Sequence, residues 1–172
     1  MKVHTAVWVV ILSILITACS TSNISDKASL NGKVSLKQEN EDFYGEWIVK
    51  GVLSSGPIGS ITTHSSEDLK SFEGKKIVYS SNVASFEDKI ITSPIYKKTI
   101  ITKEQFYKET EISFDDLGIN KDTCIAVEVF LDKDLRKPWI GGRNVIGQGF
   151  LIKNKNTLIV GSGGDFFELI RN

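Results

Sequence analysis

The chain from Phe43 onward is a succession of short segments rich in β-branched and aromatic residues, each ended by a cluster of turn-forming residues. The clearest connectors are "KNKN" at 153–156 and "GSGG" at 161–164, because Asn and Gly tolerate the positive φ angles that tight hairpins need. No sequence period of about 20 to 50 residues repeats, which argues against a solenoid or propeller. About eight short strands in about 130 residues predict a mainly β fold, a small antiparallel barrel or sandwich.

A few segments depart from the simple strand pattern. In "SSEDLKSFEG" (65–74), either leading serine can cap a helix, acidic residues fall in the first turn and the last glycine ends it. This pattern predicts a short helix. The segment "TKEQFYKE" (102–109) predicts one helical turn and "FDDLGI" (114–119) a second, whereas "TEISFDD" (110–116) is predicted as a strand from its β-branched and aromatic residues.

The N-terminal segment has the features of an export signal. Residues Thr5 to Thr17, "TAVWVVILSILIT", carry no charge and follow a weakly basic start. The run is too short for a transmembrane helix, which needs about 20 apolar residues to cross a hydrocarbon core of about 30 Å. Residues 1–18 are therefore predicted to be a targeting segment and not part of the fold.

The cysteine that ends this segment points to its destination. In "ITACS" (16–20), Ala18 stands directly before Cys19, and Ile16 or Leu15 takes the aliphatic place. This pattern resembles the lipobox of bacterial lipoproteins, in which the cysteine becomes the mature N-terminus and carries a diacylglyceryl group with palmitate-type chains. Two acyl chains anchor a protein stably where one does so only marginally. The alternative is a plain secretory peptide or an uncleaved leader in which Cys19 has no role.

The lipoprotein resemblance implies a location in the cell envelope and a division of the chain. The protein would be lipid-anchored in the outer membrane of a Gram-negative host, or on the outer face of the cell membrane of a Gram-positive one. Residues 19–41 are rich in Ser, Asn and Lys with scattered apolar residues, a composition typical of a flexible tether. Residues 42–172 then form one domain, long enough to bury a core.

Charge and cysteine content exclude several classes of partner and linkage. The chain has 21 basic and 21 acidic side chains and a formal net charge of zero, so electrostatics gives no reason to expect nucleic acid as a partner. Once Cys19 is lipidated, Cys124 is the remaining cysteine, and no intramolecular disulfide can form. Cys124 lies in the apolar stretch "TCIAVEVFL" and is predicted to be a buried small hydrophobic residue.

Two terminal motifs suggest the kind of barrel. The stretch "FYGEW" (43–47) fits the Phe-x-Gly-x-Trp signature, and Arg171 lies near the other end of the domain in "FFELIRN". The chain therefore resembles the lipocalins and other calycins, and it is similar to bacterial lipoproteins with a lipocalin-like domain. In lipocalins the Trp closes one end of the barrel and an Arg packs over its indole. The resemblance implies that Trp47 and Arg171 form this barrel-closing pair, in which a cation–π contact adds to apolar burial.

No residue set for catalysis or metal binding can be assembled. His64 is the sole histidine after the leader, no Gly-x-Ser-x-Gly sequence occurs, and the neighbouring serines are better explained as helix caps. One cysteine and one histidine cannot supply a typical zinc site. The protein is therefore predicted not to be an enzyme and to have no cofactor and no metal.

One loop has the composition of a contact site. In "LRKPWIGGRN" (135–144), Trp139 stands among cationic residues that include Arg143, with flanking glycines. An aromatic residue among cations can receive an anionic or sugar-like ligand, or anchor a partner protein. The alternative is that Trp139 folds back and covers the end of the barrel.

Two functions remain open. The lipocalin resemblance implies a small apolar or amphipathic ligand inside the barrel, because an eight-stranded barrel has room for one. The alternative is an envelope protein-interaction or inhibitor module with a filled core that acts through its loops. The side chains of Phe150, Phe166 and Phe167 distinguish the two, since large residues pointing inward would fill a barrel of this size.

Overall fold

The computed structural model describes residues 41–55, 64–139 and 146–172. The predicted leader with Cys19, most of the predicted tether, and Arg143 lie outside the described residues. These residues form nine strands: β1 (Gly45–Ser55), β2 (Lys76–Tyr79), β3 (Val83–Phe86), β4 (Lys89–Thr92), β5 (Ile95–Thr102), β6 (Thr123–Phe130), β7 (Gly149–Asn154), β8 (Thr157–Ser162) and β9 (Asp165–Arg171).

All nine strands belong to one antiparallel sheet with the order β4-β3-β2-β1-β9-β8-β7-β6-β5. Each strand pairs with its neighbour along the chain except at one place, between β4 and β5, while the first strand pairs with the last. Two register irregularities in the β1–β9 pair add local bend and twist. The sheet curls into a half-barrel, which confirms the prediction of a small, mainly β, barrel-type fold.

Two short helices accompany the sheet, where the sequence predicts a short helix (65–74) and a helical turn (102–109). Helix α1 (Ser66–Phe72) begins at the N-cap Ser65, whose side chain and Asp68 form a capping box. Helix α2 (Lys103–Thr110) begins at Thr102 in the same way. Reciprocal side-chain caps satisfy backbone N–H groups that have no partner inside the helix. Among the described residues, neither helix is long and apolar enough to cross a membrane.

One of the two predictions for the segment after α2 is wrong. The strand predicted at 110–116 is absent, and the chain there has no regular strand or helix. The turn predicted at 114–119 is present, because the N–H groups of Leu117 and Gly118 donate to the carbonyl oxygens of Phe114 and Asp115 at 3.1 and 2.9 Å. Helix α2 ends where Glu111 takes a left-handed conformation with φ of 59°. Four apolar residues of the loop are buried against the sheet: Ile112, Phe114, Leu117 and Ile119. Their pattern arises from one-sided packing of a loop and not from strand alternation.

The sheet therefore has two apolar layers. On its concave face, side chains from β1–β3 and β5–β9 form the larger core together with Phe43 and Phe72. On the convex face of β6–β8, a smaller core joins Leu151 and Ile159 to Phe106 of α2 and to the loop 111–119. Cys124 belongs to this second core, as its apolar context predicts.

The structure brings Trp47 and Arg171 together at one end of the sheet. Trp47 is fully buried, and the guanidinium carbon of Arg171 lies 4.3 Å from the centre of its ring. The same guanidinium donates hydrogen bonds to the carbonyl oxygens of Tyr44, at 2.8 Å, and Lys155, at 3.0 Å, and also to that of Asp42. Arg171 thus connects the entry segment, β1 and the β7–β8 turn.

Gly45 makes this close approach possible. Its φ is +147°, and a Cβ at this position would lie 2.6 Å from Nη1 of Arg171. Real Cβ atoms do not come so near to another heavy atom, so a side chain here would displace the guanidinium. The glycine of the Phe-x-Gly-x-Trp sequence therefore has a steric explanation.

We expect Arg171→Lys to lower the free energy of unfolding by roughly 1–3 kcal/mol. Lysine keeps the positive charge, but it cannot lie flat on Trp47 while donating to three carbonyl oxygens. Urea unfolding followed by tryptophan fluorescence measures the change. The exposed Arg136→Lys is the matched control and should change stability by less than about 0.5 kcal/mol. Equal effects of the two substitutions would contradict this role for Arg171.

Candidate functional site

The concave face, where the lipocalin resemblance places a ligand, is packed with aromatic side chains. Nine of them lie in its core: Phe43, Trp47, Phe72, Tyr79, Phe86, Tyr96, Trp139, Phe150 and Phe167. Ring centres lie 4.5 Å apart for Tyr79 and Phe150 and 5.0 Å apart for Phe43 and Tyr96. Such distances are those of directly packed aromatic pairs, so these side chains occupy the middle of the half-barrel.

The three phenylalanines that distinguish the two functions do not all point inward. Phe150 and Phe167 belong to the concave core, whereas Phe166 packs on the convex side against Phe106, with ring centres 5.6 Å apart. Phe43, from the entry segment, lies between Tyr96 and Phe150 and adds a further ring to the interior. The inward pair therefore takes up space in the interior of the half-barrel.

Trp139 is also part of this packing. Its side chain is buried in the concave core, and its backbone N–H donates to the carbonyl oxygen of Val129 at 2.8 Å. This position fits the interpretation that Trp139 folds back over the end of the barrel. It leaves the ring unavailable as an exposed loop contact, while Arg143 lies outside the described residues.

Two buried tyrosines connect this core to the backbone. The hydroxyl of Tyr79 donates to the carbonyl oxygen of Gly147, and that of Tyr96 to the carbonyl oxygen of Ser80, each at 2.9 Å. Burial raises the pKa of both hydroxyls above the usual value for tyrosine. Both therefore remain neutral at physiological pH and hold loops in place rather than exchange protons.

A groove lies on the opposite, convex face of the same sheet. It has a volume of about 920 Å³ and lies between α2 and the chain before β7, across strands β5 to β8. We call it the outer groove and define it by five of its lining residues: Thr99, Phe106, Ala126, Gly149 and Phe166.

Small residues create the floor of the outer groove. Thr99 and Ala126 are cross-strand partners on β5 and β6, and Gly149 and Gly161 lie on β7 and β8. The ring of Phe166 leans over Gly161, where a Cβ would lie 3.1 Å from it. Because side chains on one face of a sheet stand side by side, a patch of Gly, Ala and Thr among larger residues leaves a depression.

The rim of the outer groove is polar. Lys97 Nζ and Glu128 Oε2 form an ion pair at 2.8 Å on adjacent strands, and Gln105 and Glu109 line the groove from α2. The floor is completed by Leu151 and Ile159. An apolar floor with a polar rim suits an amphipathic ligand, and the volume lies within the range of about 300–1,000 Å³ that is usual for ligand pockets.

Besides the outer groove, the domain contains a buried pair of ionisable side chains. His64 Nδ1 and Asp165 Oδ2 lie 2.9 Å apart, and both side chains are fully inaccessible to solvent. The rings of Phe72 and Phe167 enclose the imidazole edge-on, with centres 5.3 and 6.1 Å from it. The pair connects the start of α1 to the start of β9, across 101 residues of sequence.

The buried pair has the members of a catalytic dyad without the access that catalysis needs. His64 Nε2 and Asp165 Oδ1 are buried and have no hydrogen-bond partner among the described residues. A general base must lie within hydrogen-bond reach of a proton on the substrate. With both side chains inaccessible, the observed geometry is that of a structural connection. The sequence shows His64 as a sole histidine but carries no signal for its distant partner.

We expect the single variants His64→Leu and Asp165→Leu each to lower the free energy of unfolding by about 3–5 kcal/mol, because each leaves the other buried group without its partner. The double variant should lose clearly less than the sum of the two. Urea unfolding of the four proteins gives the coupling energy as a double-mutant cycle. The partly exposed pair Lys75–Glu87 is the control and should couple weakly. Additive losses at the buried pair would contradict this expectation.

Among the described residues, neither the Cys124 thiol nor a group of metal-binding side chains provides a reactive site. Burial raises the pKa of the Cys124 thiol above its usual value, and Sγ lies 3.3 Å from the carbonyl oxygen of Ile152. A buried thiol with a raised pKa is a poor nucleophile. In the three described ranges, no group of three His, Cys, Asp or Glu side chains is placed to hold a metal ion.

Comparison with protein-family models, with curated proteins and with solved structures finds no match.

Proposed function

We propose that this protein is an exported, lipid-anchored lipoprotein of the cell envelope that binds a small amphipathic ligand in the outer groove. The observation that carries the proposal is the contrast between the two faces of the sheet. The concave face is filled by aromatic side chains, whereas the convex face has a groove of about 920 Å³. The proposed ligand belongs to the class that the lipocalin resemblance implies. Its proposed site, however, is on the outside of the half-barrel and not in its interior.

The lining of the groove supports an amphipathic ligand over a purely polar one. Phe106 and Phe166 offer two aromatic faces above a floor of small and aliphatic residues. Burying apolar surface there contributes about 25 cal/mol per Å². The Lys97–Glu128 pair presents both signs of charge at the rim, so a ligand head with a hydrogen-bonding or zwitterionic group finds partners.

The predicted anchor would bring the groove close to the membrane. The chain enters the domain at Glu41, whose carboxylate contacts Lys98 Nζ on the concave side of β5 at 2.8 Å. The adjacent residues Lys97 and Thr99 line the outer groove on the other face of the same strand. A tether with the composition of residues 19–41 has an average end-to-end distance of roughly 25 Å. A lipid-derived or membrane-dissolved ligand is therefore within reach of the site.

A protein partner is the second candidate, and one observation favours it. The aromatic filling of the concave face is the property expected of an interaction or inhibitor module. In that case an apolar side chain of an envelope protein would occupy the outer groove in place of a small molecule. Neither candidate includes a catalytic step, because His64 and Asp165 are inaccessible and Cys124 is buried.

The outer groove can be filled by one substitution. Thr99→Trp puts an indole over the floor, and tryptophan is well tolerated in strands. Titration with the dye 1-anilinonaphthalene-8-sulfonate and with dispersed phosphatidylethanolamine should show at least about tenfold weaker binding than the wild type. Ile90→Trp, on the exposed outer side of β4, should bind both probes unchanged. Equal binding by Thr99→Trp and the wild type would refute the groove as the site.

Native mass spectrometry of protein taken from its own cells separates the two candidates. A co-purifying small molecule that is lost in Thr99→Trp supports the ligand. A co-purifying protein that is lost in the same variant supports the interaction module.

The anchor is tested independently. We expect Cys19→Ala to shift the protein from the membrane fraction to the soluble fraction, because the acyl chains provide the anchorage. Fractionation with immunoblotting, together with metabolic labelling with a palmitate analogue, measures both location and modification. Ser20→Ala is the control and should keep label and location. A membrane-bound, labelled Cys19→Ala protein would contradict lipidation at this residue.

A further inference from the structure

Strand β5 has no paired strand on its outer side among the described residues. Strands β4 and β5 are joined by Ser93 and Pro94 alone, yet they are the two edges of the sheet. No register pairs β4 with β5. At the end of β5 the N–H of Thr102 donates to Oε1 of Gln105 in α2 at 3.0 Å, so the open part of the edge lies before Thr102. An edge with free backbone N–H and C=O groups is a template for pairing with another strand.

An apolar row reaches this edge. Six residues on the concave face are consecutive cross-strand partners from β1 to β5: Val49, Leu169, Leu158, Ile152, Ile125 and Ile100. Their exposure rises along the row, from 1% for Val49 to 41% for Ile125 and 71% for Ile100. The row thus ends at the edge with a side chain that nothing in the described structure covers.

The two lysines on β5 do not leave a net positive charge at this edge of the sheet. Lys97 pairs with Glu128 on the convex side, and Lys98 pairs with both carboxylate oxygens of Glu41 at 2.8 Å on the concave side. Lysines commonly protect edge strands by repelling a second strand. Here both charges are neutralised within the chain, so the edge is close to neutral.

We propose that β5 pairs antiparallel with β5 of a second copy of this protein, on a two-fold axis at Ile100. In this register Ile100 faces Ile100 of the second copy, Lys98 faces Thr102, and Thr99 faces Ile101. Within residues 98–102 no two lysines oppose each other. At the next position Lys97 faces Lys103, and each of these lysines has its own carboxylate partner, Glu128 and Asp122. The apolar rows of the two copies join into one, which covers Ile100 and Ile125 in both. A two-fold interface uses the same patch twice and must be self-complementary, which an isoleucine row is.

The dimer also extends the outer groove. Thr99 and Ile101 line the groove from β5, and in the proposed register each lies opposite the other residue of the second copy on the convex face. Each groove therefore gains a wall from its neighbour. The dimer itself does not depend on what the groove binds. A pairing of about five residues per strand is a small interface, so the shared membrane anchorage would assist it by raising the local concentration.

Covalent trapping tests the register in the full-length lipidated protein. Opposed residues in an antiparallel pair have Cα atoms about 4.5–5.5 Å apart, which is within the range for a disulfide. We expect Ile100→Cys to form a disulfide-linked dimer in isolated membranes under mild oxidation. Ile90→Cys, equally a β-branched residue on an edge strand and 63% exposed, is the control and should not form it.

Sedimentation velocity in detergent gives the second measurement. The wild type should show a concentration-dependent dimer, and Ile100→Lys should raise its dissociation constant by about tenfold or more, because two lysines would then face each other. Ile90→Lys should behave as the wild type. A monomeric wild type together with no faster cross-linking of Ile100→Cys than of Ile90→Cys would overturn the proposal. Cross-linking of Ile100→Cys to a different envelope protein would overturn the choice of a second copy.

Discussion

The pairing of the first strand with the last determines the rest of this structure. Strand β1 pairs with β2 on one side and β9 on the other, so it joins two meanders, β2–β4 and β5–β9, at the middle of one sheet. The opening of the half-barrel therefore falls between β4 and β5, although the chain connects them directly. Arg171 fixes this junction, because it contacts the indole of Trp47 and the backbone on both sides.

Because of this pairing, the two faces of the sheet are packed in different ways. On the concave side, Phe43 is inserted between aromatic side chains of β5 and β7. On the convex side, the long connection between β5 and β6 supplies α2 and the loop 111–119. That connection covers part of the face and leaves the outer groove beside it. A fold that resembles a ligand-holding barrel can in this way use its outside.

The parts of the structure that could be predicted from the sequence are those with local signals. Strand alternation, the glycine-rich turns and the Ser65 cap are encoded within a few residues, and the structure confirms the mainly β fold and α1. The approach of Arg171 to Trp47 could be inferred only through the lipocalin resemblance. The loop 111–119 has the composition of a strand, but its packing against β6–β8 decides its form. The outer groove depends on four small residues from four strands, which no local pattern brings together.

The pair of His64 and Asp165 shows why distance along the chain limits such inference. A single histidine between two serines has no predictable partner, and Asp165 looks like an ordinary residue after a turn. Their contact is created when β9 docks between β1 and β8, which places Asp165 against the segment that precedes α1. Burying two ionisable groups costs solvation that an apolar pair would not lose. The pair therefore stabilises one arrangement of the end of the barrel over others, since a displaced His64 would leave Asp165 buried without its partner.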